Sequence, residues 1–110
     1  MSYPEFYIDI LEAITRDDSE YRNMHVYRCE MNSTMKSYAA DIIQRGFELY
    51  KSTSDTVEYI QKQFNSKYCG SDWNCIICKT YLLSGMSFYL KYTQDRFIFL
   101  RFHEYEIVLW

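Results

Sequence analysis

A helix-period segment that passes through a short turn directly into a two-period strand sets the tightest limit on the fold. Over Asp55–Lys79, DTVEYIQKQFNSKYCGSDWNCIICK, Val57, Ile60, Phe64 and Tyr68 recur at three- and four-residue intervals. That spacing stacks them along one side of a helix and leaves Glu58, Gln61, Lys62 and Lys67 for water. From Trp73 to Lys79 the period becomes two: Trp73, Cys75 and Ile77 face one way, Asn74, Ile76 and Cys78 the other. Apolar residues on both faces predict a strand covered on both sides. A small domain covers one face with its own helices, which leaves the second face open to another molecule.

The flanking segments fill in an α+β layout. Met24–Met31 suits a first strand of the compact domain, and Asn32, Ser33 or Thr34 can cap a helix running to Tyr50. That helix places Met35, Tyr38, Ala39, Ile42, Ile43, Gly46, Leu49 and Tyr50 on a broad apolar face, with Asp41 and Arg45 spaced to pair across one turn. Ser54 or Asp55 caps the next helix, and Glu58 completes a capping box if Asp55 is the cap. After Lys79, Met86–Tyr92 alternates Met86, Phe88, Leu90 and Tyr92 against Ser87, Tyr89 and Lys91, and Thr93–Asp95 makes a turn. Arg96–Phe102 and Glu104–Trp110 form a hairpin about His103, at a turn offering neither Gly nor Asn, for which a cost of about 1 kcal/mol is expected. Two main helices on an antiparallel sheet follow from this order.

Residues 1–23 read as a separate acidic extension ahead of a domain over 24–110. Glu5, Asp9, Glu12, Asp17, Asp18 and Glu20 stand there against Arg16 and Arg22, a net of −4, while the remainder is close to neutral. Pro4 in a first turn and a stripe of Tyr7, Ile10, Leu11 and Ile14 predict a short helix that docks on the domain or binds a partner. No basic stripe is present, which argues against nucleic-acid binding. No apolar run matches a bilayer's thickness, and Met1–Ile10 lacks the pattern of a signal peptide, so a cytoplasmic protein is expected.

Four cysteines include the spacing Cys75-Ile-Ile-Cys78, but residues three apart on a strand point to opposite faces, unlike a metal knuckle or a redox pair. Buried thiols are the expected reading, with a zinc or thiol protein using Cys69, Cys75 and Cys78 as the competing one. His25 and His103 stand isolated, and no phosphate loop, nucleophile elbow or paired carboxylates are present. The sequence predicts no catalytic residues, no cofactor and no metal.

The helix-to-strand segment carries a resemblance. Asp55, Ile60, Lys62, Phe64 and Lys67-Tyr68, followed by Trp73-Asn-Cys75-Ile76, resemble the signature of the dynein light chain type 1 family. Arg96-Phe97-Ile98-Phe99 is similar to the family's next-to-last strand, Ile107–Trp110 to its last, and the similarity runs from about Met24 to Trp110. What the resemblance implies is a non-catalytic homodimeric hub of microtubule-based motors. The strand at Met86–Tyr92 would cross to the partner subunit, and extended segments of dynein intermediate chain or other proteins would add as a further strand along it. The implied peptide site comprises Thr53, Ser54, Asp55, Met86, Ser87, Phe88, Tyr89, Leu90, Lys91, Tyr92, Phe97 and Phe99. The implied dimer interface comprises Trp73, Asn74, Cys75, Phe88, Tyr89 and Leu90.

Departures from the family pattern accompany the matches. Thr53-Ser54 replace an acidic-basic pair, Ser87-Phe88 and Lys91-Tyr92 replace the usual ends of the crossing strand, Arg101 replaces an aromatic residue, and Tyr27 replaces a first-strand lysine. These changes keep the groove's place but not the family's Gln-Thr peptide preference. They also leave a second functional reading, a divergent orphan interaction module that keeps the fold and has lost dynein. Asn74 stands where the family commonly has a titrating His.

Overall fold

The helices begin where a side chain can supply the partner that the first-turn backbone lacks. Asn32 Oδ1 accepts the Met35 N–H at 2.8 Å and opens α1 (Ser33–Leu49), while Ser52 Oγ accepts the Asp55 N–H at 3.1 Å and opens α2 (Thr53–Lys67). The second cap therefore lies two residues ahead of Ser54, because Ser52 places Asp55 inside the first turn, where a carboxylate faces the positive end of the helix. Glu58 forms no capping box and instead meets Lys62 one turn on, at 2.9 Å. Asp41 likewise does not turn to Arg45: its carboxylate pairs with Arg22.

The structure, a computed structural model, describes residues 5–10, 19–80, 83 and 89–110. Seven strands accompany the helices among these residues: β1 (Glu5–Asp9), β2 (Ser19–Tyr21), β3 (Met24–Cys29), β4 (Cys75–Lys79), β5 (Tyr89–Thr93), β6 (Ile98–Phe102) and β7 (Tyr105–Leu109). Five form an antiparallel sheet in the order β2-β3-β6-β7-β4, and β1 with β5 forms a separate two-stranded antiparallel ribbon.

The helices cover one face of the five-stranded sheet. Ile42, Ile43, Ile60 and Phe64 pack there against Trp73, Cys75, Leu100, Ile107 and Leu109. Gly46 sits where α1 meets α2: a Cβ there would lie 3.1 Å from Thr56 Cγ2 and 3.2 Å from Tyr59 Cδ2, so a bare backbone lets the helices approach. Leu49 and Tyr50, assigned to the apolar face by their spacing, are exposed, and it is Phe47 of the last turn that reaches the sheet, with its ring 5.5 Å from Phe102 and 5.2 Å from Tyr105.

Trp73, Cys75 and Ile77 do point toward this helical core, and Ile76 and Cys78 toward a second cluster on the opposite face. The second cover is the chain's own. Ile8 and Ile10 pack there with Tyr27, Leu83, Tyr92, Phe97, Phe99 and Val108. Central strand β7 serves both clusters: Ile107 and Leu109 turn to the helices, Val108 to the other side, and all three are fully buried. A register shift between Val26 and Arg28 marks a bulge in β3, next to the point where Tyr27 enters the second cluster.

The expected N-terminal helix is corrected at Glu5–Asp9, which is strand. Pairing with β5 satisfies backbone groups that an isolated short helix could not shield, and it places Tyr7 outside any helical stripe. Leu11 and Ile14 lie outside the described residues. The division drawn after residue 23 passes through a hairpin turn, since β2 pairs with β3 around Arg22 and Asn23, both at positive φ.

The β6–β7 turn has Phe102 opposite Tyr105, and His103 takes a φ of 54° at its first central position. Glycine has no Cβ to strain there. His103→Gly is expected to raise unfolding stability by about 0.5–1 kcal/mol, read as a higher urea midpoint at unchanged slope. An unchanged or lower midpoint would show that the ring contact of His103 with Phe102 outweighs the backbone strain.

Candidate functional site

Strand β5 is the element around which the candidate site is built. Its alternation follows the sequence pattern, with Tyr92 buried, Leu90 half-buried, and Tyr89 and Lys91 exposed. Met86, Ser87 and Phe88 lie outside the described residues. One side of β5 is taken by β1, with Glu5 opposite Thr93, Tyr7 opposite Lys91 and Asp9 opposite Tyr89. No described strand pairs with its other side.

The floor beneath this ribbon is aromatic. Phe97 and Phe99 are fully buried, the Tyr92 and Phe97 ring centroids lie 5.0 Å apart, and those of Tyr27 and Phe99 lie 4.7 Å apart. Phe97 and Phe99 thus share one cluster with Leu90 and Tyr92, which unites four of the residues assigned to the peptide site. Arg28 and Glu30 form an ion pair next to it. The Tyr92 phenol is held above its ordinary value, first by burial and then by the nearby Glu30 carboxylate. Such a surface carries apolar contact and strand pairing rather than proton transfer.

Asn74 is brought toward the same strand. A cleft of about 190 Å³ is lined by Asn74, Lys91, Tyr92, Thr93, Arg96 and Trp110, together with Ser71 and Asp72. Asn74 is exposed, and its backbone exchanges two hydrogen bonds with Trp110, at 2.7 and 3.0 Å, which continues the β4–β7 ladder by one pair. Beside it, β4 pairs with β7 on one side, and no described strand pairs with its other side. Strand β4 and strand β5 each therefore present a margin that another strand could join.

Trp73 and Cys75 have a different place from Asn74. Trp73 is 1% exposed, its indole N–H donates to the Tyr68 carbonyl at 3.1 Å, and the Arg96 guanidinium lies over its ring at 4.0 Å. Cys75 is buried beside it in the helical core. Both side chains belong to the interior of this chain, so a contribution at an interface falls to their backbone. Thr53, Ser54 and Asp55 stand apart within a single chain. The open cleft of about 450 Å³ beside Asp55 is lined by Tyr50, Glu58, Tyr59, Lys62 and Gln63, all from the helical layer.

Three of the four thiols are held toward the protonated form. Burial pushes the Cys75 thiol up to about 12, and burial also raises Cys29 and Cys78, the latter with a further push from Glu106. Cys75 and Cys78 lie on opposite faces, in separate clusters. Among the described residues no group of three or more His, Cys, Asp or Glu side chains is placed to hold a metal ion. Among the described residues no helix is long and apolar enough to cross a membrane.

The residue that sequence reasoning undervalued is Ile8, with Ile10. Both are buried in the cluster with Tyr92 and Phe97, and of the two only Ile10 belongs to the stripe expected with Tyr7, Leu11 and Ile14. Phe6 and Ile8, two residues apart, carry the signal for the strand, and Ile10, directly after it, is helical.

A sequence profile of the dynein light chain type 1 family matches residues 23–110. No curated protein sequence matches the chain. Among solved structures, the chain is similar to the dynein light chain-like domain of the Fasciola hepatica calcium binding protein FhCaBP2. The TM-score is 0.60 at 13% identity, covering 84% of this chain and 94% of that one.

Proposed function

Because the chain belongs to the dynein light chain type 1 family, we propose that it is a non-catalytic homodimeric hub that holds extended segments of other proteins by strand addition along β5. The observation that carries this reading is the β1–β5 ribbon: β5 already accepts an antiparallel strand over a floor of Phe97 and Phe99. Main-chain pairing supplies generic affinity there, and the pockets under alternate residues select the sequence. In the dimer, β5 crosses so that the margin of β4 receives the partner's strand, with Asn74 and the backbone of Trp73 and Cys75 at the junction. The start of α2, Thr53–Asp55, then borders the partner's groove.

Two such grooves on one dimer can clasp two copies of a partner chain, which raises avidity by about 10² to 10⁴ over a single site. Dynein intermediate chain is the partner this reading names, in a cytoplasmic, cytoskeleton-associated setting. Tyr27 and Arg101, in place of the family's lysine and aromatic residue, favour a second reading: an orphan module that dimerises but ignores dynein. Titration with dynein intermediate-chain peptides separates the two, since saturable binding supports the first and its absence in a proven dimer supports the second. A monomer by sedimentation at micromolar concentration would overturn both.

The dimer is expected to withstand mild acid. Asn74 cannot titrate, whereas Asn74→His would place like charges together across the junction once protonated below about pH 6.5. Sedimentation at pH 7.5 and 5.5 should show the variant splitting and the parent chain intact. Equal lability of the two would remove Asn74 from the interface.

A further inference from the structure

Resting on the reading that β5 receives extended segments, we propose that β1 is the chain's own occupant of that place, so that a partner must displace Glu5–Asp9 to bind. Strand β1 runs antiparallel along all of β5, from Glu5 opposite Thr93 to Asp9 opposite Tyr89. The strand's Ile8 enters the floor as a side chain of a bound segment would, joined by Ile10, the helical residue directly after β1, while Phe6 stays 42% exposed. Ile8 and Ile10 are 7% and 0% exposed in the cluster of Phe97 and Phe99, the Phe6 ring lies 5.7 Å from Tyr92, and the intervening Tyr7 is 70% exposed. This segment precedes the family match at residue 23, so it is an addition to the domain rather than part of its common fold.

The occupant also describes the ligand. Phe6 and Ile8 specify a segment with an aromatic residue followed two steps on by a branched aliphatic residue, a pattern unlike Gln-Thr. Tethering makes the native segment a strong competitor, because a short connection holds it at an effective concentration of about 1 mM. If its intrinsic dissociation constant is about 0.1 mM, a partner binds roughly tenfold more weakly than it would to an empty groove.

The test uses the full chain and a labelled synthetic peptide, SYPEFYIDI, as the probe. In Ile8→Asp the internal strand loses its buried anchor, and the probe is expected to bind at least tenfold tighter than to the parent chain. Tyr7→Ala, altered at an exposed position of the same strand, should bind like the parent. A second variant, Tyr7→Cys with Lys91→Cys, guards against a misfolded Ile8→Asp. Directly opposed residues of an antiparallel pair lie about 4.5–5.5 Å apart, within the span of a disulfide. Oxidation forms one S–S bond from two thiols, with added diamide as the electron acceptor, and should abolish probe binding that dithiothreitol restores. Equal binding by the oxidised and reduced forms would overturn the proposal and leave β5 as a strand acceptor elsewhere along its length. If hydrogen exchange shows β5 freed in Ile8→Asp, yet neither the probe nor any dynein peptide binds, the strand-acceptor reading itself fails, and the proposal with it.

Discussion

Trp73→Ala is expected to lower the stability of the folded chain by about 3–5 kcal/mol, read from urea unfolding. The indole is 1% exposed, and its centroid lies 4.7 Å from that of Phe64. It also ties three segments together: its ring receives the Arg96 guanidinium, its N–H reaches the Tyr68 carbonyl at the end of α2, and its own backbone N–H donates to Asn65 Oδ1 at 2.7 Å. Truncation leaves a cavity and also removes the surface on which Arg96 rests. Small domains hold only about 5–15 kcal/mol in reserve, so the variant should be partly unfolded near body temperature. Trp73→Phe keeps most of the volume and loses the N–H, and should cost about 1–2 kcal/mol. A loss under about 1 kcal/mol for Trp73→Ala would mean that this corner is not the structural joint described.

Val108→Asp is expected to cost about 3–5 kcal/mol at neutral pH, even in a chain diluted below any dimer's dissociation constant. Val108 is fully buried on the face of β7 that looks away from the helices, among Ile8, Tyr27, Phe99 and neighbours. A carboxylate there would sit among apolar and aromatic side chains, and burial would raise its folded pKa above the unfolded value of about 3.9. With the folded pKa raised, the folded form binds the proton more tightly. The deficit relative to the parent is therefore small below pH 4, grows as pH rises through the raised value, and is then constant. A monomer as stable as the parent at pH 8 would show that this face is left bare within one chain and is covered only by a second subunit.

The helices and β4 were legible because their signals are local. Spacing of three and four residues fixed the buried side of α2, and strict alternation fixed which side chains of β4 meet which cluster. The helix cap was misplaced by two residues because Ser52, Ser54 and Asp55 all have capping chemistry, and only the path of the chain chooses among them. Asp41 shows the same limit: its helical neighbour Arg45 was visible in the sequence, while Arg22 came within reach only through the β2–β3 turn. Glu5–Asp9 was misread for a further reason. Phe6 and Ile8 fit a strand, Tyr7, Ile10, Leu11 and Ile14 fit a helix, and the partner that draws Glu5–Asp9 into a strand lies at the far end of the sequence. Phe97 and Phe99, which cluster with Leu90 and Tyr92, enter the candidate site through family resemblance. Strand β1, which packs with them, lies outside that resemblance and could not be recognised in the same way.

The span between β1 and its partner also orders how the molecule assembles. Glu5 meets Thr93 only after nearly the whole chain has been laid down, so closing that loop comes late, whereas the β6–β7 hairpin needs only its neighbours. A ribbon that joins last, with Tyr7 and Tyr89 still facing water, is also the first to detach under thermal fluctuation. The remaining sheet keeps its helical backing through such openings. The chain can thus unfasten one seam many times over without passing through the unfolded state.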